Sequence, residues 1–215
     1  MIVVHGAVVS PYVRKVRVLC TEKGIRFESR ELVPALHAAE LLAMNQLGKI
    51  PILEDEGTFI PDSSVICAYL ERVHPSPALL PEDPKDYARA LFLEEWADTK
   101  ALEAFAPALV ERVIMRLYFQ KGPDEKRVAR ARAEIVPPIL DWLETQLRSE
   151  PASGEGLVGG RFSLADCAVG AQLQSWVLGG EEIDAARWPK VRAYSDSVLS
   201  RPSFVAQAAA VAAAG

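Results

Sequence analysis

Between His74 and Pro84 the chain places four prolines in eleven residues, at Pro75, Pro77, Pro81 and Pro84. Proline fixes φ and removes a backbone donor, so neither a continuous helix nor a central strand survives that spacing. The segment reads as a linker, and a chain of 215 residues is long enough for two small domains around it. We expect a first domain over residues 1–77, a linker over 78–84 and a second domain over 85–215.

Upstream of the linker, short apolar runs alternate with helical periodicity. Ile2-Val3-Val4-His5 reads as a buried strand, after which Val13, Val16, Leu19 and Cys20 recur at helical spacing. That spacing leaves Arg14, Lys15, Arg17, Glu22 and Lys23 to the opposite, polar face, with Gly24 as the stop. An extended stretch from Arg26 to Val33 leads to a short helix near Ala38 to Met44. Ile50-Pro51-Ile52-Leu53, the turn Asp55-Glu56-Gly57 and Thr58-Phe59-Ile60 then make a hairpin. A closing helix carries Val65, Ile66, Tyr69, Leu70 and Val73 as its apolar stripe. This order predicts an α/β unit with a mixed four-stranded sheet.

Downstream the periodicity is helical throughout. One run, marked by Tyr87, Leu91, Trp96, Leu102, Phe105, Leu109, Val113 and Leu117, continues to Gly122-Pro123, with a kink expected at Pro107. The next helix carries Val128, Ile135, Ile139, Leu143 and Leu147, and Pro137-Pro138 should break or bend it. After a loop from Ser149 to Gly160, Ser163-Leu164-Ala165-Asp166 has the form of a capping box opening a helix to about Leu178. Two further helices are expected over Trp188 to Leu199 and Phe204 to Ala214. The second domain is therefore all-α.

A net charge of −5 lacks the basic excess of nucleic-acid binders, and no apolar run is long enough to span a bilayer, so neither nucleic acid nor membrane is an expected partner. The first residues read as a strand and not as a secretory signal, which makes the cytoplasm the default location. Cys20, Cys67 and Cys167 are far apart and lack metal-ligand spacing, so they are expected to be buried core thiols and no metal is predicted.

Three short signals carry chemistry. Ser10-Pro11 sets a hydroxyl at a helix N-cap and proline at the first helical position, a place where an anion would meet free amides and the positive end of the helix dipole. Asp62-Ser63-Ser64 is a second such start, where backbone and hydroxyls suit a carboxylate and Asp62 suits an ammonium group. Gly48-Lys49-Ile50-Pro51 places proline at a strand entry, where the Ile50–Pro51 bond is open to the cis form and an extended peptide can pair with Ile50. Each alone also fits a plain cap or an edge-strand proline.

Together, Ser10-Pro11-Tyr12-Val13-Arg14-Lys15-Val16, Asn45 to Leu53, Asp62 to Leu70, the proline-rich linker and Phe162 to Asp166 resemble the soluble glutathione transferases over nearly the whole chain. The Ser-Pro-aromatic form is most similar to serine-type members of the plant tau class and related bacterial proteins. The resemblance implies a thioredoxin-like N-terminal domain, an all-helical C-terminal domain and a homodimer. It implies that Ser10 donates a hydrogen bond to the glutathione sulfur, that Ile50 pairs its backbone with the cysteinyl unit beside a cis Pro51, and that Asp62 and Ser63 hold the γ-glutamyl end. Lys49 approaches the glycyl carboxylate, and His37 lies where some members place another glycyl ligand, one residue closer to Asn45 than in those members.

The second substrate implied is a small hydrophobic electrophile, in a pocket expected between the loop Ala7 to Val9 and the helical domain. Val9, Tyr12, Phe105, Leu109 and Arg112 are the candidates for it, although core packing equally explains Phe105 and Leu109. The same residue pattern also admits a non-catalytic interaction module, a glutathione-dependent peroxidase or a reductive dehalogenase.

Overall fold

The computed structural model describes residues 1–148 and 156–215, so most of the loop expected between Ser149 and Gly160 lies outside the described residues. The chain divides into two compact units, Met1–Leu79 and Leu80–Gly215.

The first unit runs β1 (Ile2–His5), α1 (Pro11–Glu22), β2 (Phe27–Arg30), α2 (Ala38–Met44), β3 (Ile52–Asp55), β4 (Thr58–Pro61) and α3 (Ser63–Val73). Its sheet has the order β2-β1-β3-β4, with β1 and β2 parallel and the other neighbours antiparallel. This is the mixed four-stranded, thioredoxin-like arrangement the sequence predicts. The hairpin closes in two residues, Glu56 and Gly57, both at positive φ between the paired Asp55 and Thr58, as a tight hairpin turn requires.

The register has one consequence for function. Arg30, His5, Ile52 and Pro61 form a single row across the four strands. From that row leave Glu31, the loop Gly6 to Ser10, the entry Ile50-Pro51 and the start of α3 at Asp62, so all four segments share one edge of the sheet.

Helix α1 departs from its expected polarity. Arg14, Lys15, Arg17 and Lys23 are buried along with the apolar face, because α1 packs on both β1 and α3. The long side chains satisfy their heads inward. Arg14 Nη2 donates to the Val9 carbonyl at 3.2 Å, Arg17 Nη2 to that of Gly6 at 3.4 Å, and Lys23 Nζ to Glu71 and to the Pro77 carbonyl at 2.6 Å each. The stripe expected on α3 is also narrower: Ser63, Ile66, Cys67 and Leu70 are buried, whereas Val65 and Val73 are exposed.

The second unit consists of α4 (Pro84–Trp96), α5 (Leu102–Leu109), α6 (Met115–Phe119), α7 (Glu125–Arg130), α8 (Val136–Arg148), α9 (Leu164–Leu178), α10 (Pro189–Leu199) and α11 (Pro202–Ala213). π-Helical turns at Ala97–Ala101 and Val110–Ile114 join α4 to α5 and α5 to α6, and a third at Ala131–Ile135 joins α7 to α8. Pro107 lies inside α5, and Pro137-Pro138 follow directly on the third π turn, where the Val136 amide donates to the Ala131 carbonyl. The prolines therefore lie next to wider turns of a continuing helix and not at its end.

Helix α9 is buried from Leu164 to Trp176 and packs against α4, α5, α10 and α11, which makes it the centre of this unit. Gly170 lets Phe204 approach: a Cβ there would lie 2.5 Å from the phenyl ring. The capping box at its start reaches further than one turn. Buried Asp166 accepts from Ser163 N and Oγ at 2.8 Å, and from Leu157 N and Tyr194 Oη at 2.9 Å, joining three segments. The three cysteines are all buried, and desolvation pushes the Cys20 thiol up to about 12.

Candidate active site

The loop Gly6 to Ser10 is pinned from several sides. Gly6 sits at φ 152° against Val13 and Ile50, and a Cβ there would lie 2.4 Å from Val13 Cγ2 and 3.3 Å from Ile50 Cβ, so only glycine brings the loop this close to the strand entry. The Val8 amide donates to Glu31 at 3.0 Å, and the Ser10 amide donates to the Ala7 carbonyl at 3.0 Å. Val9 is buried and Tyr12 half-buried.

Ser10 is the N-cap of α1, with Pro11 at the first helical position. Its Oγ accepts from the Val13 amide at 3.4 Å. A hydroxyl that accepts in this way still carries its own proton to donate, and Ser10 is only partly buried.

At the neighbouring strand entry the Ile50–Pro51 bond is cis. The entry is held by Asn45, which donates from Nδ2 to the Lys49 carbonyl at 2.8 Å and accepts the Leu47 amide on Oδ1 at 2.9 Å. Lys49 itself is exposed. His37 is the N-cap of α2, and its Nδ1 lies 3.0 Å from the Val33 amide and 3.2 Å from the Val33 carbonyl.

Asp62 caps α3 with Oδ1, accepting from Ser64 N at 2.9 Å and Val65 N at 3.1 Å. Its backbone stands at φ 75°, ψ 128°, outside the regions open to most side-chain-bearing residues, a conformation kept only when the surroundings impose it. Ser63 is buried beside it, and Ser64 Oγ receives Nζ of Lys15 from α1 at 3.5 Å. Thus the edge of the sheet collects Ser10, Ile50, Pro51, Asp62 and Ser63.

The remaining candidates belong to the second unit and are occupied within it. Phe105 and Leu109 are core residues, Phe105 packing on Trp176 with ring centroids 5.7 Å apart. Arg112 donates to both oxygens of Glu125 at 2.9 and 2.7 Å, and to the Gly179 carbonyl and Glu181 at 2.8 Å. Glu181, itself buried, also receives Arg132. Hydrogen bonding to Glu125, then to Glu181, holds the Arg112 guanidinium above its ordinary range, so the side chain serves an ion network rather than standing free for a ligand.

Glu31, Asn45, Arg14, Lys15 and Arg17 were not expected here. The one signal for the cations is electrostatic: they occupy the fourth, fifth and seventh positions of α1, which has no acid in its first turn, against the sense of the helix dipole. Among the described residues no cluster of His, Cys, Asp or Glu suits a metal ion, and no helix is long and apolar enough to cross a membrane.

Residues 4–78 match the family model described as the glutathione S-transferase N-terminal domain, and residues 125–197 match the C-terminal domain of the same family. The chain is 39% identical over 204 residues to the uncharacterized GST-like protein YibF of Escherichia coli (strain K12), covering 93% of this chain and 94% of that one. Among solved structures, a glutathione S-transferase from Rhodospirillum rubrum F11 superposes with a TM-score of 0.85 at 29% identity, over 96% of this chain and 91% of its own. A glutathione S-transferase from Methylobacterium radiotolerans, in complex with glutathione sulfonate, superposes with a TM-score of 0.74 at 32% identity, over 96% and 94%.

Proposed function

From the premise that this chain belongs to the glutathione S-transferase family, we propose that it is a glutathione transferase conjugating the glutathione thiolate to small hydrophobic electrophiles. The observation that carries this reading is Ser10: its Oγ is anchored on the Val13 amide while its own O–H remains to donate, at the positive end of α1.

The chemical task is to ionise a thiol whose ordinary pKa is about 8.5 near neutral pH. A shift of about two units corresponds to roughly 2.7 kcal/mol in favour of the thiolate. A hydrogen bond to a charged group contributes about 1.5–3 kcal/mol, and a helix terminus about 0.3–2. Ser10 therefore suffices as a neutral donor, without abstracting the proton itself, and the thiolate then attacks the electrophile.

In this reading the backbone of Ile50 beside cis Pro51 pairs with the cysteinyl unit as an added strand, while Asp62 and Ser63 take the γ-glutamyl ammonium and carboxylate. Lys49, exposed on the strand entry, and His37 serve the glycyl carboxylate. Support for a tripeptide ligand comes from the shared sheet edge and from the relative bound to glutathione sulfonate. A homodimer goes with the family, and each unit exposes large apolar side chains for it, Phe59 and Val65 in one and Leu91 and Phe92 in the other.

The test is to measure glutathione binding together with turnover on aryl halides, epoxides and organic hydroperoxides. Conjugation of the first two groups is the expected result. Binding without turnover of any of them would instead indicate an interaction module, and turnover of hydroperoxides alone a peroxidase.

A further inference from the structure

We propose that Arg14 and Arg17 are positioning residues for Ser10, fixing the loop that carries it and adding a buried positive field to the anion site at the start of α1. This rests on the transferase reading above.

The first half of the inference is geometric. Gly6 to Ser10 links β1 to α1, and all of its residues except Ser10 are buried. Arg17 holds the Gly6 carbonyl at one end and Arg14 the Val9 carbonyl at the other, while Glu31 takes the Val8 amide between them. Two guanidiniums and a carboxylate thus define the path of the loop one residue before the active hydroxyl. A planar fork fixes such a contact more firmly than an ammonium group does.

The second half is electrostatic. Arg14 and Arg17 lie within the first two turns of α1, where the helix already presents positive charge. Burial, and next the charge of Arg17, lower the Arg14 pKa to about 9, so the two guanidiniums repel in a poorly solvated place and Arg14 remains mostly charged at neutral pH. Around this edge also lie Lys15 at Ser64, Glu31 at Val8, Asp62 at the cap of α3, Arg30 paired with Glu40, and His5 hydrogen-bonded to Glu54. An anion bound at Ser10 lies where this positive charge and the end of the helix dipole favour it. Buried charges are little screened by salt, so the field persists at physiological ionic strength.

The experiment uses the full chain with glutathione as probe, following the ultraviolet absorbance of the bound thiolate against pH. Arg14→Met should raise the titration midpoint by about half to one unit and lower kcat/KM at neutral pH about three- to tenfold, with KM for glutathione within about twofold. Arg14→Lys keeps the charge and loses the fork: it should restore the midpoint yet leave amide hydrogen exchange at Val8 to Ser10 faster than in the unaltered chain. Arg17→Met, measured the same way, supplies the reading if Arg14→Met does not fold.

Unmoved midpoints in the methionine variants, or a midpoint in Arg14→Lys displaced as far as in Arg14→Met, would overturn the inference. Should neither methionine variant fold, unchanged exchange at Val8 to Ser10 in Arg14→Lys overturns it instead. An unaltered chain that fails to shift the glutathione thiol at all overturns the transferase reading itself, and this inference with it; a shifted thiol with indifferent variants removes the inference alone.

Discussion

Lys15, 0% exposed in α1, places Nζ 3.5 Å from Oγ of Ser64 in the first turn of α3, so a buried cation joins the two helix starts that the sheet brings to one edge. On the proposed glutathione reading, it favours the carboxylate assigned to Ser63. Lys15→Met should raise KM for glutathione about five- to tenfold, equivalent to about 1–1.4 kcal/mol, and displace the thiol midpoint less than Arg14→Met does. Folding stability should fall rather than rise, since Ser64 Oγ loses a buried donor. Parallel initial-rate and urea-unfolding measurements check both halves.

Ser10→Ala removes the donor and the cap together. The donor contributes about 1.5–3 kcal/mol, so turnover at neutral pH should fall roughly ten- to a hundredfold while KM for glutathione changes by no more than about threefold. Equal and small losses in kcat and affinity would mean that the hydroxyl is only a cap.

Asp166 couples stability to pH. Burial raises its pKa from 3.8 to about 6, against the opposing hydrogen bonds from Ser163, Leu157 and Tyr194. The folded state therefore holds the proton over a range in which the unfolded chain has released it. Its contribution to stability is fully present below about pH 4 and declines as pH rises through 6, by on the order of 3 kcal/mol. Asp166→Ala should abolish that slope in urea unfolding. At pH 7 it should also cost about 2–4 kcal/mol, because the Leu157 and Ser163 amides lose their buried acceptor.

Arg112 distinguishes a structural cation from a substrate ligand. Its removal leaves the 6% exposed carboxylate of Glu181 with Arg132 as its ion-pair partner among the described residues. Arg112→Ala should destabilise the chain by about 1–3 kcal/mol, with KM for the electrophile unchanged within about twofold. A large rise in that KM at unaltered stability would return Arg112 to the substrate.

The alternation of strands and helices was legible because each element of the first unit is short, bounded by Gly, Pro or Asp, and carries its own apolar period, as in Ile2 to His5 and Thr58 to Pro61. Ser10, Pro51 and Asp62 were legible because caps and strand-entry prolines have local signatures. The cations of α1 were not: periodicity sorts Arg14, Lys15 and Arg17 to water by polarity, whereas long stems let charged heads turn back to the carbonyls of Gly6 and Val9. The role of Asn45, which the family motif includes, is hidden for a related reason, since its two hydrogen bonds go to backbone that only the folded turn brings near. The π turn at Ala97–Ala101 likewise packs on α9, and a helical wheel of constant pitch does not represent such a turn.

Because Glu31, Ser10, Ile50 and Asp62 all depart from the row Arg30-His5-Ile52-Pro61, the proposed chemistry inherits the phase of strand pairing. Sliding β3 by a single residue would exchange its two faces and carry Ile50 away from Gly6. The two ends of the sheet thus differ in evolutionary latitude: lengthening the hairpin at Glu56-Gly57 lies at the far end of β3 and leaves the row intact, whereas one added residue beside Ile52 dismantles the site.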